Sequence, residues 1–476
     1  MKTLFLTINI IILFLINTKA QTEIPEYFKP HLRYNLPLVD ANHWKNAAYT
    51  DANFNKPNSD GKPNFSNWAS SIIKNPSMFQ ATELNLNAVN TLAWGSQTLT
   101  NKLIKPKKFF NKTCNIITTQ LLSGGSIFIL GGFPLGGGWL HEEYHRALLA
   151  TNRVASKDPF DDYQLDLTDG SVKNIYDDAL RNFKKNDPHG FNRMLIAGAE
   201  GELLAAKKMQ ENNFFNGANL PIEFTNLFYT ISAVRYFNDS YKSIDSMNIP
   251  LNKKDGANIL KRDFTGHDFS AWVWHLFKPN VSYDSLGVHP SGVGINRYIS
   301  SDRLTQQEKD YYDKTKKLAI LNYLSPMIFG FRKIKLKEGS YGNFAMQYQA
   351  TSFGVDMELR IYFMNTVNKF CFAVHNYKNY KNNFYAAEFN WVDFKLKTIK
   401  KLSFTSRVLL GTQPKNQEFF TNQAQFFSLL AVNSNYNLTK NIVAYLQVQA
   451  KTAGWVAGDE YLKGMIRLRA GLNMLL

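Results

Sequence analysis

Cysteine is nearly absent, with only Cys114 and Cys371 in 476 residues. Two thiols so far apart supply no disulfide framework, which excludes a small cross-linked scaffold, and both are expected as buried thiols. Acidic charge is also short: 55 Lys and Arg face 38 Asp and Glu, leaving a formal charge of +17. The basic residues are scattered and form no nucleic-acid module, so the excess is read as attraction to anionic lipid headgroups. Long unbroken hydrophobic runs are missing too. Leu4 to Ile16 is too short for a confident membrane span. Preceded by Lys2 and followed by Thr18-Lys19-Ala20 before Gln21, it describes a secretory signal peptide. No cysteine follows the cut, so no lipid-anchor site is offered there. Cys114 to Leu140 holds no charged residue and is long enough to cross a bilayer. Gly124, Gly125, Gly131, Gly132, Pro134 and Gly136 to Gly138 break it. It reads as a buried helix, a Gly-rich apolar turn or short strand around Ile127 to Leu130, and the entry to a further helix.

Aromatic residues are what the chain has in plenty: 36 Phe, 23 Tyr and 8 Trp. That content suits β-structure or a membrane interface better than a plain helical bundle. The length predicts two or three domains, and core-forming residues are frequent enough to exclude global disorder.

The stretch Trp139-Leu140-His141-Glu142-Glu143-Tyr144-His145 contains H-E-x-x-H. Residues four apart share a helix face, so His141 and His145 can offer two imidazole nitrogens to one tetrahedral Zn²⁺. Glu142 then sits beside the open position, where it can take a proton from water that the metal has acidified to a pKa of roughly 7. A catalytic zinc wants a third protein ligand, and a Glu from a second helix is one solution. The segment from Phe191 to Met209 is an Ala- and Leu-rich helix carrying Glu200 and Glu202 in an apolar centre. Glu200 shares its face with Ile196, Ala197, Leu203 and Leu204, while Glu202 lies about 200° round the helix, so both cannot face one metal. Glu200 is the expected ligand, with Glu202 supporting it or lying at the surface. Tyr229 to Tyr236 and Arg262 to Phe269 hold candidates for stabilising an oxyanion, His267 among them, and Asp263 or Asp268 could orient a ligand imidazole.

His141-Glu142-Glu143-Tyr144-His145, followed by Ala199-Glu200-Gly201-Glu202-Leu203-Leu204-Ala205, resembles the gluzincin metallopeptidases, in particular the membrane-associated branch that includes the CAAX prenyl proteases. The resemblance covers about residues 141–209. It implies His141, His145 and Glu200 as zinc ligands and Glu142 as general base. Leu204 stands where that branch has the Asp of its E-x-x-x-D helix.

After Val281 to Ser300, a loop, Thr305-Gln306-Gln307-Glu308 is a capping box opening a helix to about Leu324. From there the period becomes two, as in Val355 to Phe363, Leu402 to Val408 and Ile466 to Asn473. About eight strands with one apolar and one polar face, flanked by aromatics, describe an outer-membrane β-barrel.

The expected fold is therefore α+β: a mainly helical zincin-like domain followed by a C-terminal antiparallel β-barrel of about eight strands. The expected divisions are a signal peptide (1–20), an N-terminal arm and helices (21–115), a helical metallopeptidase-like domain (116–280), a loop and connecting helix (281–325) and the barrel (326–476). The expected function is an exported zinc metallopeptidase in the outer membrane, its catalytic domain periplasmic, acting on a peptide or protein and touching outer-membrane lipid but no nucleic acid. The competing expectation is a non-enzymatic outer-membrane barrel whose helical domain is a plug, scaffold or binding module.

Overall fold

The computed structural model describes residues 28–43, 75–106, 109–130, 133, 135–157, 170–396 and 398–476. The expected signal peptide, residues 44–74 of the expected N-terminal arm and residues 158–169 lie outside these residues.

The chain is α+β. Its helices are α1 (Met78–Leu103), α2 (Phe109–Leu130), α3 (Gly137–Thr151), α4 (Asp177–Asn186), α5 (Pro188–Met194), α6 (Ala197–Phe215), α7 (Glu223–Asp255), α8 (Asp268–Phe277) and α9 (Gln306–Lys316). Its strands are β1 (Arg33–Asp40), β2 (Ile334–Lys337), β3 (Ser340–Thr351), β4 (Gly354–Met364), β5 (Lys369–Lys378), β6 (Asn383–Lys395), β7 (Leu402–Pro414), β8 (Ala424–Asn437), β9 (Ile442–Lys451) and β10 (Met465–Leu475). All ten strands form one antiparallel sheet, in the order β1-β10-β9-β8-β7-β6-β5-β4-β3-β2.

This corrects two expectations. The sheet has ten strands instead of eight, and it is open, with β1 and β2 as its edges. Eight strands, β3 to β10, do fall within residues 340–475. The N-terminal arm supplies β1, which occupies the outer edge of β10 and so prevents β10 from closing onto the start of the sheet. The outward edge of β1 is in turn covered by α1. Asn87 exchanges hydrogen bonds with the backbone N–H and carbonyl of Asn35 at 2.9 and 2.7 Å, and Gln80 and Asn90 donate to the carbonyls of Pro37 and Arg33. An edge whose backbone groups are satisfied by side-chain amides no longer recruits a strand. A third correction concerns Ile127 to Leu130, which continues α2 instead of forming a turn or strand.

The two faces of the sheet have inverted polarity. Phe344, Ile361, Phe372, Phe389, Val408, Leu430, Ala450 and Ile466 are successive cross-strand partners from β3 to β10, and they form one outward apolar row. Ile466 is 72% exposed. Arg360, Glu388, Gln449, Lys451, Arg467 and Arg469, on the other face of the same strands, are buried. On this face the sheet meets the helical body. Lys207 of α6 pairs with Glu358 at 3.2 Å, and Asn192 and Trp272 donate to the carbonyls of Ser352 and Thr351 in the β3–β4 turn.

Candidate metal centre

α3 begins at a glycine N-cap with no side-chain cap and draws its stability from burial of Trp139, Leu140, Tyr144, Leu148 and Leu149. It packs tightly on α6. A Cβ at Gly198 would lie 2.2 Å from Cδ2 and Nε2 of His141, and one at Gly201 would lie 2.9 Å from the Tyr144 ring. Two glycines three residues apart therefore let the histidine-bearing face of α3 lie directly on α6.

Each histidine is fixed through Nδ1. That of His145 donates to the Met194 carbonyl at 2.6 Å, and that of His141 lies 3.3 Å from Oε1 of Glu202, which also accepts from Ser232 at 3.1 Å. A carbonyl or carboxylate only accepts, so both rings carry hydrogen on Nδ1, and Nε2 is the atom that each would offer to a metal. Both Nε2 atoms point at Oδ2 of Asp268, at 3.3 Å from His141 and 3.2 Å from His145. Asp268 is the first residue of α8, where a carboxylate suits the positive end of the helix. Its backbone N–H donates to the Tyr236 hydroxyl at 3.4 Å. The Tyr236 ring stands edge-on to His141 and stacks on His267, and Phe264 packs on His145.

The triad is most open on one side: the side chains of His145, Asp268 and His141 are 1, 5 and 13% exposed. Glu142, next to His141, is half-buried. Burial, with the charges of Asp268 and Asp263, pushes its carboxyl well above the ordinary range, against the pull of His141. Burial alone would lower His141, but its hydrogen bonds to Asp268 and Glu202 outweigh it and hold the imidazole well above its usual value. Burial likewise opposes ionisation of Asp268, yet the two imidazoles hold it below the carboxylate range.

Glu200, the expected third ligand, is engaged elsewhere. It lies fully buried against Arg193, with Nη2 at 2.8 Å, and accepts the Gly458 N–H at 2.7 Å. Arg193 also donates to the Val456 and Asp459 carbonyls. On α6 the carboxylate that reaches His141 is thus that of Glu202, and the opposite face sends Glu200 to the β9–β10 loop. The carboxylate that meets both imidazoles is that of Asp268. The signal for it in the sequence was an acid among aromatics in Arg262 to Phe269, but nothing local distinguished a ligand there from a residue orienting one.

Asp356, Glu358 and His375 form a second grouping, inside the sheet. Of its two carboxylates, Glu358 already has cations, whereas Asp356 faces only His375, at 3.2 Å. Glu358 is held by Arg360 at 2.5 Å and by Lys207, and nearby Glu388 by Arg407 at 2.6 Å, so the glutamates here are already engaged in ion pairs.

No family profile, curated protein or solved structure matches the chain.

Proposed function

We propose that this protein is an exported zinc-dependent peptidase held in an outer membrane by its sheet, with His141, His145 and Asp268 as ligands and Glu142 as general base. The observation that carries the reading is the convergence of two Nε2 atoms on one carboxylate oxygen at 3.2 and 3.3 Å, with both Nδ1 atoms tied back. A tetrahedral zinc with bonds of roughly 2.0–2.1 Å sets its ligand atoms about 3.3 Å apart, so the donor set fits the ion in both chemistry and spacing. Three protein ligands leave a fourth position, the arrangement of catalytic zinc.

Bound zinc supplies Lewis acidity, which polarises a carbonyl and lets water lose a proton near neutral pH. The chain's own groups do the rest. Glu142 stands one residue from a proposed ligand and feels the charges of His141 and Asp268, and a carboxyl raised by burial is suited to accept a proton from water and return it to a leaving amine. Tyr236, also held protonated by burial, lies beside His141 and Asp268 and can donate to a carbonyl oxygen as charge develops on it. Glu202 and Met194 hold the two imidazoles in orientation throughout.

The membrane reading rests on the sheet's inverted polarity. A row of exposed Phe, Ile, Leu and Val backed by buried Arg, Lys and Glu is unfavourable in water and favourable against hydrocarbon. No helix among the described residues is long and apolar enough to cross a membrane.

Elemental analysis of purified protein tests the centre. About one zinc per chain is expected, lost in Asp268→Ala and retained in Glu142→Gln, which abolishes cleavage of a fluorogenic peptide library. Full cleavage by Glu142→Gln, or zinc retained by Asp268→Ala and lost by Glu200→Gln, sinks the assignment.

A further inference from the structure

α2 shows the same inversion as the sheet. Its buried stripe is polar: Asn115, Thr119, Gln120 and Ser123 are all fully or nearly fully buried. Asn115 donates to the Ile104 carbonyl and to Asn101 and accepts from Gln97, while Gln120 donates to Glu223 and accepts the Phe224 N–H. Its outward stripe is apolar. Phe110, Ile117, Leu121, Leu122, Phe128 and Ile129 are exposed, with Phe128 at 76%. A helix on a water-facing surface has the opposite arrangement.

The place of α2 in the fold explains why. α1 covers the free edge of β1 and runs alongside it, with Asn90, Asn87 and Gln80 meeting Arg33, Asn35 and Pro37 in turn. α2 packs on α1, and through Gln120 and Glu223 it is linked to Arg332, two residues before β2. The series β1, α1, α2, start of α7, β2 thus bridges the two edges that the strands leave unpaired. At 22 residues α2 is about 33 Å long, close to the roughly 30 Å of a hydrocarbon core. Lone insertion is excluded by its polar stripe, which α1 and α7 cover.

Charge supports the same placement. The α1–α2 connection carries exposed Lys102 and Lys105 beside exposed Leu103, Phe109 and Phe110. Asn101, next to that connection, donates to the Phe28 carbonyl, which places it at the end of the sheet where β1 begins. The β6–β7 and β8–β9 turns lie at that same end and expose Lys400, Lys401 and Lys440. Lysines and aromatics at one level match an anionic headgroup layer.

We propose that α2 is part of the lipid-contacting wall: its outward stripe lies in acyl chains and the lysine-bearing tips at the α1–α2 end lie among anionic headgroups. This rests on the reading of the sheet as membrane-embedded, and the test separates the two. With Cys114→Ser and Cys371→Ala as background, single cysteines at Ile117, Leu121 and Phe128, at Leu430 on the sheet and at Leu103 on the tip take a nitroxide label. The protein is reconstituted in vesicles of phosphatidylcholine and phosphatidylglycerol, and collision with oxygen and with a water-soluble nickel chelate is measured. High oxygen and low nickel accessibility at 117, 121 and 128, equal to that at 430, with nickel reaching 103, is the expected result. Nickel access at all three helix positions with 430 protected places α2 in water and overturns the proposal. Exclusion of both reagents at the three positions means that protein covers α2, which overturns it equally. Nickel access at 430 removes the sheet reading itself, and the proposal with it.

Discussion

Asp268 and His141 hold each other's charge, and the sign of that coupling sets how zinc and pH must act together. His141 lies well above its ordinary 6.5 because hydrogen bonds to Asp268 and Glu202 outweigh burial. A raised imidazole contributes stability that is complete below its unfolded pKa and is lost as pH rises through the folded one. Asp268 lies below its ordinary 3.8, so its contribution is present above that value and is lost as pH falls. The metal-free protein is therefore steadiest between the two and weakens on the alkaline side as the imidazolium loses its proton. Zinc at the proposed centre would need that proton gone, so its affinity is expected to climb over the same range. Thermal melts from about pH 6 to pH 9, with chelator and with zinc, should show the chelated midpoint falling while the gain on adding zinc grows. A zinc gain that does not change with pH would mean that His141 releases no proton on binding. At this scale H-E-x-x-H made His141, Glu142 and His145 legible as candidates, because helix spacing alone brings i and i+4 together. That Asp268 meets the two imidazoles was not legible, since only the tertiary packing of α8 on α5 and α7 brings it there. Glu200 shows the converse: a carboxylate in an apolar helix does need a partner, but its partner is Arg193, seven residues earlier on the preceding helix.

At the level of elements, the centre depends on how closely α3 and α6 approach. Replacing a helix glycine by alanine should favour α6 by roughly 0.5–1 kcal/mol through backbone entropy alone. At Gly198 that gain is opposed by a Cβ only 2.2 Å from the ring atoms of His141. The ring, held through Nδ1 by Glu202, has to move, and Nε2, the atom proposed to coordinate zinc, is among those that meet the new methyl group. Gly198→Ala is thus expected to leave the helical circular-dichroism signal intact and to cut zinc occupancy severely, as read by elemental analysis after dialysis against a weak chelator. Wild-type occupancy would show that α3 and α6 can part without loss of the centre. The A-G-A-E-G-E-L-L-A-A run was readable as a helix, but nothing in it announced that its two glycines were sockets for rings on another helix.

For the whole molecule, the alternation of β3 to β10 was visible in the sequence because period two survives in any sheet whose faces differ. Closure was not, since it depends on what occupies the edges, and neither the pairing of β1 with β10 nor the amide ladder from α1 is a local property. The same inverted polarity that makes the strands legible also yields a test of where they lie. Leu430 sits mid-row on the outward face, paired with Val408 and Ala450. An arginine there, if the face is in water, replaces an exposed leucine by a soluble side chain and should change stability by no more than about 0.5 kcal/mol. If the face is in hydrocarbon, the same change should cost roughly 2–4 kcal/mol near the bilayer midplane. Denaturant unfolding of Leu430→Arg in lipid vesicles, with Lys440→Arg in the exposed β8–β9 turn as control, distinguishes the two. A loss of 2 kcal/mol or more at 430 with none at 440 is expected, and equal stability of both variants would take the sheet out of the membrane.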